Sequence, residues 1–260
     1  MKQKVTIVLP ISRVEYLAQV FAYLELMDCD AGNTNIITIV DGDTALYIDA
    51  RNRTEQSKFA ERLCIQYEDL TQESKTSILG RRLRISDIHN QVKKHIGKCD
   101  YVLGIEDDTL IPKSTVTRLL QDFTLFPHAG FITGLELGRW GITYAGAWLA
   151  DDLYNPQLLA TIPQPDKETA IQEIDAAGFY CFMTTRENYV THLFQPYDNN
   201  ALGPDVNFGM ELRRLGFMNY IDFRVNCIHR NGNESISYPK YPMQRVQFTK
   251  EESGWKQNIL

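Results

Sequence analysis

The chain has 260 residues, 43% of them hydrophobic and 23% charged, with a formal net charge of -6. That balance fits one domain, or one domain with an appendage, around a substantial core. The acidic sum argues against a nucleic-acid groove binder, which needs clustered Lys and Arg. The five cysteines (Cys29, Cys64, Cys99, Cys181, Cys227) are scattered and form no C-x-x-C pair. They read as reduced thiols of a cytoplasmic protein, not as zinc ligands or a disulfide framework. The opening apolar run, Val5 to Leu9, stops at Pro10, too short for a signal-peptide core, and no other stretch is long enough to span a bilayer.

In chain order, Val5 to Pro10 is a β-branched run and reads as the first strand. Ser12 and Glu15 form an S-x-x-E capping box, followed by Val14, Leu17, Ala18, Phe21 and Leu24 at helical spacing. A second strand, Asn35 to Val40, ends in Asp41-Gly42-Asp43. Thr54 is placed to cap a helix carrying Phe59 and Leu63, with a short strand around Cys64 to Tyr67. Gly80-Arg81-Arg82-Leu83-Arg84 opens a helix with Ile85, Ile88, Val92 and Ile96 on one face. Pro112 and Ser114 start the next, striped with Val116, Leu119, Leu120, Phe123 and Phe126. This strand-helix alternation predicts an α/β fold, a mostly parallel sheet with helices on both faces.

The second half changes character. Residues 130–144 suggest antiparallel strands, and residues 150–172 suggest a loop or insertion. Residues 174–183 read as a Gly-containing strand or strand-turn. Asp205 begins a helix with Phe208, Leu212 and Leu215 on one face and Gly216 as its breaker. Tyr220 to Ile228 is a last strand, finished by His229, and the tail from Ser235 shows no clear periodicity.

The stretch Tyr101 to Ile105 is a short, almost wholly apolar run that reads as a buried strand, and Glu106-Asp107-Asp108 follows at once. Three adjacent carboxylates repel one another and gain nothing from a core, so something must compensate them. A divalent cation does so: Mn²⁺ or Mg²⁺ takes oxygen ligands from one or two carboxylates and from phosphates. The end of a strand in an open α/β sheet is also where such folds place their ligands.

These features, in this order, resemble GT-A-fold glycosyltransferases, especially the family 2-like group. The resemblance runs from Val5 to about His229. It rests on the opening strand, on Val40-Asp41-Gly42-Asp43, and on the Arg-rich helix with Asn90. It rests further on Glu106-Asp107-Asp108 in the D-x-D position, and on the Gly203-Pro204-Asp205 helix followed by the strand ending in His229. The Glu-Asp-Asp form is similar to that of N-acetylglucosaminyltransferases using a uridine-diphosphate sugar. What this implies is a GT-A (Rossmann-like) domain over 1–234, with a nucleotide-sugar half at 1–127 and an acceptor half at 128–234. A small antiparallel element belongs to the acceptor side, and residues 235–260 are a tail or lid.

The resemblance also implies roles. Asp108 binds Mn²⁺ or Mg²⁺ directly, with His229 at the strand terminus as a further ligand. Glu106 and Asp107 orient the sugar-nucleotide and ribose, Asp41 reads the nucleoside, and Pro10 and Ser12 line the base pocket. Asp205 is the base of an inverting transfer, although Pro204 stands where relatives have a Glu. Its helix-start position favours the ionised form through the macrodipole. Arg82 and Arg84 are candidates for charge-assisted contacts to the diphosphate, and Trp140 and Trp148 for stacking on the acceptor.

Two other readings stay open. A nucleotidyltransferase shares the sheet and the acids, but its Gly-rich loop after the first strand is missing from Pro10-Ile11-Ser12-Arg13-Val14-Glu15. A non-catalytic sugar- or nucleotide-binding module has no need of Asp205 and His229 together with the acidic strand end. The acceptor is expected to carry a free hydroxyl; a saccharide is favoured and a modified nucleic-acid base is open.

Overall fold

A computed structural model describes residues 2–70, 73, 74, 76–138, 143–166, 168–197, 202–252 and 254–260. Its first half alternates as the sequence predicts: β1 (Val5–Ile11), α1 (Val14–Leu26), β2 (Thr34–Val40), α2 (Thr44–Gln56), β3 (Arg62–Gln66), α3 (Ile78–Val92) and β4 (Tyr101–Ile105). Then come the two-residue β5 (Thr109–Leu110), α4 (Thr115–Leu125) and β6 (Ala129–Leu135). The second half holds β7 (Ala147–Ala150), β8 (Leu158–Thr161), β9 (Ile171–Ile174), β10 (Ala176–Ala177), β11 (Cys181–Thr185), α5 (Arg186–Thr191) and α6 (Pro204–Arg214). It closes with β12 (Met218–Asn226), β13 (Ile228–Asn231), β14 (Glu234–Ile236), β15 (Val246–Glu251) and β16 (Gly254–Ile259).

Eight strands form the central sheet in the order β3-β2-β1-β4-β11-β6-β12-β9. Neighbours from β3 to β4 pair in parallel, as do β6 and β12, while β11 and β9 run against their partners. Along β1, Val5, Ile7, Leu9 and Ile11 face one core, shared with α1, α2 and α4. Val8 faces the other, shared with α3 and α6. Helices thus cover both faces, and each buried Leu, Ile or Phe contributes about 1.5–3 kcal/mol of apolar burial.

Glycine sets two close approaches. A Cβ on Gly104 of β4 would stand 2.2 Å from Cε1 of Phe182, so only glycine lets that ring lie across the strand. A Cβ on Gly209 would stand 2.6 Å from the Asp175 carbonyl, which holds α6 against β10.

Several local expectations are corrected. Ser12 does not cap α1: the helix begins at Val14, so Arg13 is the N-cap and gives no side-chain cap bond, while the Ser12 hydroxyl donates to Asp107. The cap of α2 is Asp43, whose carboxylate accepts from the Leu46 N–H, whereas Thr54 sits in the last turn and Leu63 lies in β3. Ser77 caps α3. Leu215 is 68% exposed, outside the apolar face of α6. Residues 150–172 contain β8 and the start of β9. The stretch beyond Ser235 forms the hairpin β15–β16, which pairs with β8 and completes a second sheet, β10-β7-β8-β15-β16.

Candidate active site

The acidic residues leave the carboxyl end of β4, between the loop that follows β1 and the small sheet β14-β13-β5. Asp107 is buried and turns toward the β1 loop. Its Oδ2 accepts from the N–H groups of Ser12 at 2.5 Å and Arg13 at 2.8 Å, and from the Ser12 hydroxyl at 3.2 Å. Nη1 of Arg13 donates to Asp107 Oδ1 at 2.5 Å and reaches Asp108 Oδ2 at 2.8 Å. Burial works against the Arg13 charge, but Asp107, Asp108 and Glu106 together leave its pKa raised.

Pairing of β13 with β5 sets His229 opposite Thr109, one residue past Asp108. The Arg230 N–H donates to the Asp108 carbonyl at 2.8 Å and locks this register. His229 Nε2 then lies 3.3 Å from Asp108 Oδ2, while Nδ1 stands 2.8 Å from the Leu137 carbonyl and 3.6 Å from Glu136 Oε2. Glu136, which the sequence reading missed, is 4% exposed and accepts from the Thr109 hydroxyl at 2.6 Å. Burial pushes its carboxyl up to about 8, against the pull of His229. Burial disfavours the charged imidazole, but Glu136 and Asp108 raise the His229 pKa.

Asp205 stands in the first turn of α6, behind Pro204. The helix end does not prevail. Enclosure by protein raises its pKa, although the Val206 N–H, its own N–H and the Arg82 charge pull the other way. It also raises the pKa of Glu106, after burial and Asp108, so the two carboxyl groups share one electrostatic neighbourhood. A Cβ on Gly203 would come within 2.1 Å of Asp205 Oδ1, so that glycine makes room for the carboxylate.

Asp41 follows β2, its N–H donating to the Ile11 carbonyl at 2.8 Å. Arg84, 5% exposed, donates to Asp41 at 3.1 and 3.3 Å and pairs with Asp69. The structure therefore sets Arg84 behind Asp41, and Arg82 toward Asp205. Pro10 lies in β1 before this loop. Trp148, in β7, packs against the small cluster of Leu159, Ala176, Val206 and Met210 beneath α6. Trp140 lies outside the described residues.

Glu106, Asp107, Asp108, Glu136 and Asp205 thus share one charged neighbourhood with Arg13, His229 and Arg82. Among the described residues, no three His, Cys, Asp or Glu side chains are placed to enclose a metal by themselves. Asp108 and His229 offer two ligands, which suits a cation that draws its remaining ligands from water and phosphate.

No protein-family profile and no curated protein matches this sequence. Its fold does match solved structures. TarS residues 1–349 of S. aureus, in complex with UDP-GlcNAc, superposes with a TM-score of 0.53 at 13% identity, over 85% of this chain and 55% of that one. The mannosyltransferase PcManGT from Pyrobaculum calidifontis, in complex with GDP-Man and Mn²⁺, gives a TM-score of 0.56 at 10% identity, over 84% and 54% of the two chains. The sheet and its helices are those of the GT-A glycosyltransferase fold. This chain spans little more than half the length of those structures.

Proposed function

We propose that this protein is a metal-dependent glycosyltransferase. It moves a sugar from a nucleoside-diphosphate donor, a uridine diphosphate in preference, to a hydroxyl acceptor. The observation that carries the reading is the convergence of Asp108 and His229 at strand ends of a GT-A fold, beside Glu106 and with Asp205 in the first turn of α6 in the same electrostatic neighbourhood. Similar folds have been solved with UDP-GlcNAc and with GDP-Man and Mn²⁺, which supports a nucleotide-sugar donor.

In this reading Asp41 takes the nucleoside, with Pro10 and Ser12 beside the base. Glu106 and Asp107 orient the sugar-nucleotide and ribose, and Arg82 and Arg84 add positive charge toward the diphosphate. Asp108 and His229 would hold Mn²⁺ or Mg²⁺, which neutralises the charge that builds on a leaving diphosphate. Asp205 takes the proton of the acceptor hydroxyl as the new bond forms on the opposite face of the sugar, giving inversion. Its raised pKa makes it a better base than a helix-start carboxylate would ordinarily be.

Trp148, with Trp140 in the same segment, is assigned to the acceptor, a saccharide in preference to a modified nucleic-acid base. We assign 1–127 to the donor half, 128–234 to the acceptor half, and 235–260 to a cover on the acceptor side. The free thiols suit a reducing, cytoplasmic setting.

A thermal-shift screen of nucleotide sugars with and without Mn²⁺ tests this, because stabilisation grows with ligand concentration over Kd. One donor should stand out, only with the metal. Binding with no transfer to any acceptor would favour a non-catalytic module.

A further inference from the structure

Oδ2 of Asp108 is the oxygen nearest His229 Nε2, and it already holds a cation, the Arg13 guanidinium at 2.8 Å. The same Nη1 is 2.5 Å from Asp107 Oδ1, so one nitrogen bridges both acids. A divalent ion held between Asp108 Oδ2 and His229 would compete with it for that oxygen and repel it. The backbone around Arg13 is fixed, because its N–H and that of Ser12 both donate to Asp107 Oδ2. The side chain is not enclosed to the same degree. It is 33% exposed and projects from the loop before α1.

We propose that Arg13 is the resident counter-ion of the acidic strand end. A divalent cation displaces its guanidinium, which then pairs with the diphosphate of the donor. This rests on the reading that Asp108 and His229 hold a cation next to a nucleoside diphosphate. The guanidinium is suited to the second position, since its planar fork donates in parallel to two phosphate oxygens. Cation alone must evict Arg13 with no new anion to receive it. Cation and diphosphate together supply that anion. Binding of the two is therefore positively coupled, and part of the coupling belongs to Arg13.

The test is calorimetric Mn²⁺ binding to wild type, Arg13→Gln, Arg13→Lys and Arg230→Gln, each without nucleotide and with saturating UDP. Without nucleotide, Arg13→Gln should bind Mn²⁺ about tenfold more tightly than wild type, since the competing charge is gone. The gain in Mn²⁺ affinity that UDP confers should shrink several-fold in the same variant. Arg13→Lys keeps a charge without the fork, so it should show the smaller UDP gain without the tighter nucleotide-free binding. Arg230→Gln removes a nearby guanidinium that engages Ser235 and the Gly232 carbonyl, and should change neither quantity.

Unchanged or weaker nucleotide-free binding in Arg13→Gln, or an undiminished gain from UDP, would overturn the displacement. So would an equal tightening in Arg230→Gln, which would make the effect one of charge at a distance. Wild type that binds Mn²⁺ under neither condition would remove the metal site itself. That failure is distinct, because it appears before any variant is compared.

Discussion

Nε2 of His229 stands 3.3 Å from Oδ2 of Asp108 across a sequence separation of 121 residues, and the pairing of β13 with β5 makes the meeting possible. If the two share a cation, their contributions overlap. Asp108→Asn and His229→Ala should each weaken Mn²⁺ binding tenfold or more, about 1.4 kcal/mol. The double variant should lose less than the sum of the two, because contacting residues do not act additively. Calorimetric titration of the three variants reads this directly; additive losses would separate the residues.

Gly203 offers a way to move the base without cutting it. A Cβ there collides with the end of the Asp205 side chain and not with backbone, so the carboxylate can give way at small cost in stability. Gly203→Ala should leave the melting temperature and UDP affinity nearly unchanged while transfer falls by a large factor, as for Asp205→Asn. Transfer at the wild-type rate in either variant would show that Asp205 is not the base.

Much of the donor half is legible in the sequence because parallel, doubly covered strands are short, nearly continuous apolar or β-branched runs. β1, β2 and β4 announce themselves in this way, and the acids follow β4 without a gap. Arg13 was not legible: its carboxylate partners lie 94 and 95 positions on, and an arginine before a helix looks like surface. Ser12 misled for the same reason: its N–H and hydroxyl both turn to the distant Asp107, and the helix starts one residue later than a capping box would place it. Glu136 is a single acid after an apolar strand, with no spacing to mark it. In the acceptor half, β7, β8 and β9 are four residues each, and residues 150–172 carry three prolines, so loop chemistry hides them.

Asp41 is held from behind by Arg84, which leaves its position defined before any ligand arrives. Asp41→Ala should weaken UDP binding by about 1–3 kcal/mol, the cost of a lost hydrogen bond to a charged group. It should also leave Arg84 with Asp69 as its remaining carboxylate partner of the two. A UDP titration that shows no loss would remove Asp41 from the nucleoside site.

His89 links pH to stability away from the active site. It is 2% exposed, its Nδ1 lies 2.8 Å from the Tyr189 hydroxyl, and burial lowers its pKa from 6.5 to about 3. Between those values the unfolded chain binds the proton and the folded chain does not, so stability rises with pH through this window and falls on acidification. Each unit below 6.5 costs about 1.4 kcal/mol from this group. Denaturant unfolding at several pH values should show a slope smaller by about one proton in His89→Asn than in wild type. Equal slopes would mean that His89 titrates normally in the folded protein.

The most direct test of the central claim is a calorimetric titration of UDP into the wild-type protein and into Asp108→Asn, each with Mn²⁺ and with a chelator. Wild type should bind UDP tightly with Mn²⁺ and far more weakly with the chelator, and Asp108→Asn should show the weak binding in both. UDP affinity that ignores the metal, or a metal-dependent affinity that survives Asp108→Asn, would contradict a cation-assisted nucleotide site at the end of β4.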